Sequence, residues 1–132
     1  MGVLKWAGVL ILLAAIITLS FSSGPAVKQH GEMLLRVLGT DSPVIRRWVL
    51  SSPQLWHVVL YALLTLAFAT ALPARPWRAA LLALAVAALL EAAQVFVPTR
   101  EAHFSDFLFS TAGVCGAAAA WRLGEKKLKA QS

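Results

Sequence analysis

The sequence predicts an all-α, polytopic membrane protein with four transmembrane helices. Of its 132 residues, 59% are hydrophobic and only 14% are charged, whereas about a quarter of the residues of a typical soluble domain are charged. Four apolar stretches are close to the length of about 20 residues that a helix needs to cross a bilayer. Basic residues and tryptophans flank these stretches, as expected of segments anchored at membrane–water interfaces.

The apolar stretches predict a single domain over residues 1–132. The predicted spans are residues 3–21, 54–72, 79–97 and 106–123, with an extracytoplasmic loop over 22–53 and a cytoplasmic tail over 124–132. The alternative for the first span is a signal peptide cleaved near Gly24. Its long apolar run and the lack of an A-x-A cleavage pattern favour a retained anchor.

Turn-forming residues set the expected limits of the shorter elements. Residues 30–38, ended by Gly39, and residues 44–50 predict two short amphipathic helices lying along the membrane surface. A solvated loop with helical turns fits the same composition. Pro98 ends the third span, and Ser105 is the expected N-cap of the fourth, with Asp106 in its first turn.

The basic residues predict that both termini are cytoplasmic. Lys5, Arg75, Arg78 and the basic residues from Arg122 to Lys129 then lie on one side of a four-span chain. Four basic residues in the long loop count against this orientation. The aromatic residues agree with it, because they divide into an inner belt (Trp6, Trp77, Trp121) and an outer belt (Trp48, Trp56, Phe96, Phe104).

Polar side chains occur at one level of three predicted spans, and this level would be the outer one. Burying such groups in hydrocarbon costs several kcal/mol unless they are paired or face a polar cavity. We therefore predict a site that combines candidate catalytic residues with candidate substrate-binding residues. The candidate catalytic residues are His57, Glu91 and Asp106, and the candidate substrate-binding residues are Tyr61, Gln94, Arg100, Ser105 and Ser110.

Several of these residues also have a purely structural interpretation. Arg100 could neutralise Glu91 or Asp106, and Tyr61 could serve as an interfacial anchor. The small residues of the fourth span are expected to let helices approach closely, because small-xxx-small spacing is typical of such contacts. They are Gly113, Gly116 and Ala117.

In these residues the sequence resembles the VanZ-like family of small polytopic bacterial membrane proteins. The resemblance covers about residues 54–120. Its parts, in order, are His57 and Tyr61, Glu91 and Gln94, Pro98 and Arg100, Ser105 and Asp106, and Gly113. This chain departs from the family pattern at Gln54, where Lys is usual, and at Ser110, where Asn is usual.

The resemblance implies an envelope setting in the bacterial plasma membrane and a link to resistance against teicoplanin, a lipid-bearing glycopeptide. It implies no particular reaction, so whether the protein is an enzyme stays open. One hypothesis is an outer-leaflet site that binds or processes an amphipathic, lipid-linked envelope molecule. The alternatives are a structural or regulatory subunit and a small transporter or proton pathway.

Other classes of function find no support in the sequence. The net charge of +6 is distributed between the apolar segments, so membrane topology explains it better than nucleic-acid binding. The spacing of His, Cys, Asp and Glu residues matches no metal motif, and we expect no cofactor and no metal. Cys115, the single cysteine, permits no intrachain disulfide. Membrane lipids are the expected partners, and a homo-oligomer or a membrane-protein partner stays open.

Overall fold

The computed structural model of the chain describes residues 2–73, 75–98 and 103–131. These residues form six helices: α1 (Gly2–Phe21), α2 (Gly24–Val37), α3 (Pro43–Ser51), α4 (Pro53–Ala71), α5 (Pro76–Gln94) and α6 (Phe104–Gln131). The predicted all-α class is therefore confirmed. By length and composition, α1, α4 and α5 are candidate membrane spans, and α6 is not among them. The prediction of four spans remains a prediction.

Proline and glycine explain most of the helix boundaries. Pro43, Pro53 and Pro76 each open a helix, where the missing N–H would have no partner within the helix. As predicted, Gly39 ends α2, with a positive φ of 61°. The N–H groups of Gly39 and Thr40 donate to the carbonyls of Arg36 and Leu35, which is the Schellman arrangement.

Several predicted boundaries need correction. The helix predicted to begin at His30 begins at Gly24, where Ser23 and Pro25 favour a helix start. Helix α5 ends at Gln94, four residues before Pro98, and its last turn tightens, because the N–H groups of Phe96 and Val97 donate to the carbonyls of Ala93 and Gln94, three residues earlier. Ser105 is not an N-cap, because it lies inside α6. Helix α6 also continues beyond Leu123, through the segment predicted as a tail.

Helix α4 lies at the centre of the bundle, in contact with α1, α5 and α6. The buried core consists mainly of aliphatic and small side chains, including Ile16, Leu64 and Val114, with the aromatic rings of Tyr61 and Phe68. Ala79, Ala83 and Ala87 form one fully buried stripe on α5, and such small residues allow helix backbones to approach closely. Large apolar side chains on the outer surface of α1, α4 and α5 are exposed, which suits contact with lipid.

Helices α2 and α3 cover one end of this bundle. An ion pair between Glu32 and Arg46 joins them. The indole N–H of Trp56 donates to the carbonyl of Val49 over 2.9 Å and ties α3 to α4. This end of the bundle contains the C-terminus of α1, the start of α4, the end of α5 and the start of α6.

Candidate functional site

The three candidate catalytic residues meet at the end of the bundle that α2 and α3 cover. His57 lies near the start of α4, Glu91 one turn before the end of α5, and Asp106 in the first turn of α6. One donor atom of each residue lies within 4.8 Å of the other two, and all three residues are half-buried. The structure therefore brings these three side chains from three helices together, and their predicted roles remain predictions.

His57 is held between two groups of α6. Its Nε2 lies 3.5 Å from Asp106 Oδ2, and its Nδ1 lies 3.1 Å from the hydroxyl oxygen of Ser110. The Ser110 hydroxyl donates to the backbone carbonyl of Asp106 over 2.9 Å. The direction of the His57–Ser110 hydrogen bond depends on the His57 tautomer. With its proton on Nδ1 the ring donates to the Ser110 oxygen, and with its proton on Nε2 the ring accepts from the hydroxyl and donates toward Asp106.

Tyr61 and Glu91 complete the interior of the site. The ring of Tyr61 is only 3% exposed. It lies almost parallel to the imidazole of His57, with an interplanar angle of 8° and ring centroids 6.3 Å apart. One carboxylate oxygen of Glu91, Oε2, is buried. The site therefore combines two carboxyl groups, an imidazole and a phenol in surroundings with little access to water.

A cavity of about 70 Å³ adjoins these residues. Its lining includes His57, Tyr61 and Asp106, together with Leu19 and Ser20 of α1. A larger cavity of about 320 Å³ lies between α1, α2 and α4 and has a mainly apolar lining. Four residues line both cavities, which are therefore adjacent: Leu19, Val27, Trp56 and Leu60.

Comparison with known protein families assigns the chain to a family. A family model described as VanZ/LLP1 matches residues 6–124, which is most of the chain. The chain belongs to the VanZ/LLP1 family. Comparison with curated proteins and comparison with solved structures give no significant match. Together with the long apolar helices, membership of the VanZ/LLP1 family indicates a membrane protein.

The other predicted site residues of this VanZ/LLP1 chain occupy different surroundings. Gln94 is buried, and its side-chain amide donates to the carbonyl of Ser20 over 3.1 Å, so it ties α5 to α1. Ser110 is also buried and lies behind His57. Ser105 is exposed at the start of α6. Arg100 lies outside the described residues. The binding roles assigned to these side chains remain predictions.

The first third of the chain contributes to the site in a way that sequence reasoning missed. Leu19 and Ser20 of α1 and Val27 of α2 line the cavity beside His57. None of them carries a recognisable signal, because apolar and small residues are common throughout both helices. Only the packing of α1 against α4 brings them to this place.

The arrangement supports two kinds of chemistry. The imidazole of His57 beside the carboxylate of Asp106 can accept and return a proton, as general acid–base catalysis requires. His57, Glu91 and Asp106 also offer three donor atoms that are close enough to bind one metal ion. Ser110 is a poor candidate for a nucleophile, because it is buried and its proton is donated to a backbone carbonyl.

Proposed function

We propose that this VanZ/LLP1 protein binds an amphipathic, lipid-linked envelope molecule at the outer leaflet of the bacterial plasma membrane. The observation that carries the proposal is the pair of adjacent cavities, one with a polar wall and one almost entirely apolar. Such a pair matches a molecule with a polar head and a hydrocarbon chain. A uniformly polar solute would leave the larger cavity without suitable contacts.

The two cavities make different contributions to binding. A lipid chain in a bilayer is already in apolar surroundings, so moving it into an apolar groove adds little affinity. The groove between α1, α2 and α4 therefore orients the chain, and the polar cavity supplies the specific contacts. A cavity of about 70 Å³ holds only a few water-sized groups. It suits the part of the headgroup nearest the lipid, while the remainder extends toward water.

The residues around the polar cavity favour a site that can exchange a proton with the bound molecule over a site that only holds that molecule. His57 and Asp106 line the cavity side by side, so a bound hydroxyl or phosphate would meet a group able to accept a proton. Arg100 is the predicted partner of an anionic headgroup. Processing of the bound molecule is thus an extension of the proposal, and the site leaves the reaction type open.

A proton pathway or transporter receives less support from the described residues. Among them, the buried polar side chains are Ser20, Thr65, Gln94 and Ser110. Only Thr65 lies beyond the site toward the other end of the bundle, and its hydroxyl donates to the carbonyl of Tyr61. Alanine and large aliphatic side chains fill the rest of that core, so a path through a single chain would lack polar groups.

The experiment isolates the protein in native-lipid discs and identifies co-purifying lipids by mass spectrometry. Glu91→Gln and Asp106→Asn keep the size of each side chain but remove its charge. We expect both variants to accumulate normally, to lose the co-purifying lipid, and to lose any change in teicoplanin susceptibility that the wild-type protein confers on a sensitive Gram-positive host. Asp41→Asn, an exposed position between α2 and α3, is the matched control and should retain both.

Two other outcomes would contradict the proposal. If the carboxylates only hold the helices together, removing one member of a buried pair costs about 3 kcal/mol and the variants should fail to accumulate. That result favours the structural-subunit alternative. If both variants accumulate and keep the lipid and the phenotype, the residues do not form the binding site.

A further inference from the structure

We propose that His57, Glu91 and Asp106 bind one divalent transition-metal ion of the Zn²⁺ or Mn²⁺ type. Their donor atoms lie within 4.8 Å of one another. An ion at the centre of a triangle with sides of that length would lie about 2.8 Å from each atom, and Zn–N and Zn–O bonds are about 2.0–2.2 Å. Side-chain rotations that move each donor atom about 0.6–0.8 Å toward the ion would bring all three to bonding distance.

The donor atoms of the three ligands select the class of metal. Ca²⁺ and Mg²⁺ prefer ligand sets made only of oxygen atoms, and thiolate or thioether sets bind softer metals. One imidazole nitrogen with two carboxylates lies between these extremes and suits Zn²⁺ or Mn²⁺. Each of the three ligands comes from a different helix, so a metal ion would also fix the relative positions of α4, α5 and α6.

The contacts of His57 are those of a metal-binding histidine. A ligating imidazole usually donates its other N–H to an oxygen atom, which fixes the tautomer and directs the free nitrogen at the metal. With its proton on Nδ1, His57 would donate to the Ser110 hydroxyl oxygen, 3.1 Å away, and Nε2, 3.5 Å from Asp106 Oδ2, would be the nitrogen that binds the metal. Ser110 in turn donates to the backbone carbonyl of Asp106. One hydroxyl thus orients the histidine and connects it to the residue that carries a second ligand.

The charges of these side chains also suit a divalent cation. Glu91 and Asp106 place two carboxylates within 4.8 Å of each other in half-buried surroundings. A divalent cation bound between them would be attracted to both carboxylates. Its positive charge would also favour an anion in the adjoining cavity.

Within the part of the chain that the structure describes, three side chains are placed to bind the ion, so a tetrahedral ion would have a fourth position for another ligand. Three protein ligands with a fourth position for water or substrate are typical of catalytic metal sites, whereas structural sites use four protein ligands. The cavity lined by His57, Tyr61 and Asp106 adjoins this position. If the proposed lipid function is correct, a phosphate or other anionic oxygen of the headgroup would occupy it. Metal binding itself is independent of that function and is measured with the metal alone.

The test uses the full chain, free of any histidine tag, purified in detergent and stripped with a chelator. Equilibrium dialysis against Zn²⁺ and, separately, Mn²⁺ should give one bound ion per chain by elemental analysis. The visible spectrum of the Co²⁺-loaded protein should show a low-symmetry site, and this spectrum should be lost in His57→Gln. Glu91→Gln and Asp106→Asn should each bind at least about tenfold more weakly than the wild-type protein.

Two variants separate a specific site from adventitious binding. Ser110→Ala removes the group that orients His57 without removing a ligand, and it should weaken metal binding by about tenfold. His30→Gln removes an exposed histidine on α2 and should leave both stoichiometry and affinity unchanged. Loss of the bound ion in His30→Gln would place the metal elsewhere and overturn the proposal.

The wild-type protein alone can also refute the assignment, even if a ligand variant does not fold. Failure of the folded wild-type chain to bind one equivalent of either metal at micromolar concentration would end the proposal. Metal binding without any co-purifying lipid would contradict only the proposed function. A lipid that stays bound after complete removal of metal would show that the lipid site works without the ion.

Discussion

Helices α4 and α6 approach closely at Gly113, and adding one methyl group there should destabilise the protein. A Cβ built on Gly113 would lie 3.0 Å from the carbonyl carbon and the Cα of Val58 and closer still to its oxygen, whereas ordinary contact begins at 3.4 Å. The neighbouring atoms are backbone and cannot rotate away. Helices α4 and α6 must therefore separate by about half an ångström or more, which forfeits a quarter or more of the attraction across the contact.

The cost can be compared with a control in the same helix. Overpacking of this kind lowers the free energy of unfolding by about 1–3 kcal/mol. Replacing a helical glycine by alanine raises that free energy by about 0.5–1 kcal/mol, because alanine loses less backbone entropy on folding. Gly113→Ala should thus lose about 1–2 kcal/mol. Gly116→Ala meets nothing within 4 Å, so it should gain stability of up to about 1 kcal/mol. The sequence-based expectation that Gly116 also serves close packing was wrong, because its side of α6 faces away from α4.

Thermal unfolding in detergent, followed by size-exclusion chromatography of the remaining folded fraction, measures the difference. A change of 1 kcal/mol shifts the Tm of a protein of this size by about 4 °C, so Gly113→Ala should melt several degrees below Gly116→Ala. Gly113→Leu should be worse than either, whereas Gly124→Leu, which also has open space around it, should be tolerated. Equal Tm values for Gly113→Ala and Gly116→Ala would refute the close approach of α4 and α6.

Two further predictions concern topology and the attachment of α1. In a Cys115→Ala background, a cysteine placed at Gln29 should react with an impermeant thiol reagent in intact cells and one at Gln131 should not; labelling at Gln131 would overturn the prediction that both termini are cytoplasmic. Gln94→Met removes the hydrogen bond to the carbonyl of Ser20 at nearly constant volume, and it should lower the free energy of unfolding by about 1 kcal/mol. The control Gln29→Met, at an exposed position, should change stability little. Equal effects of the two variants would show that this hydrogen bond between α5 and α1 does not stabilise the protein.

The sequence by itself determined the class of the protein and much of its local structure. The composition, with 59% hydrophobic residues, indicates a membrane protein. The apolar stretches are long enough to cross a bilayer as helices, and three helices of the structure meet that criterion. Pro53, Pro76 and Gly39 set helix boundaries through backbone chemistry that acts within a few residues. Glu91 and Asp106 could be selected as candidate site residues from the sequence, because charges in apolar helices are costly wherever the helices pack.

Tertiary structure decided which sides of the helices meet. Membrane helices are apolar on nearly every side, so their sequence pattern does not reveal which side contacts a neighbour. A Cβ added at Gly113 would meet the backbone of Val58, whereas one added at Gly116 would meet no described atom within 4 Å outside its own part of α6, although both are glycines on one helix. For the same reason, sequence spacing contained no metal motif, while packing brings donor atoms from α4, α5 and α6 within 4.8 Å. Distances between side chains on different helices depend on the rotation and offset of each helix, and only the folded bundle fixes those.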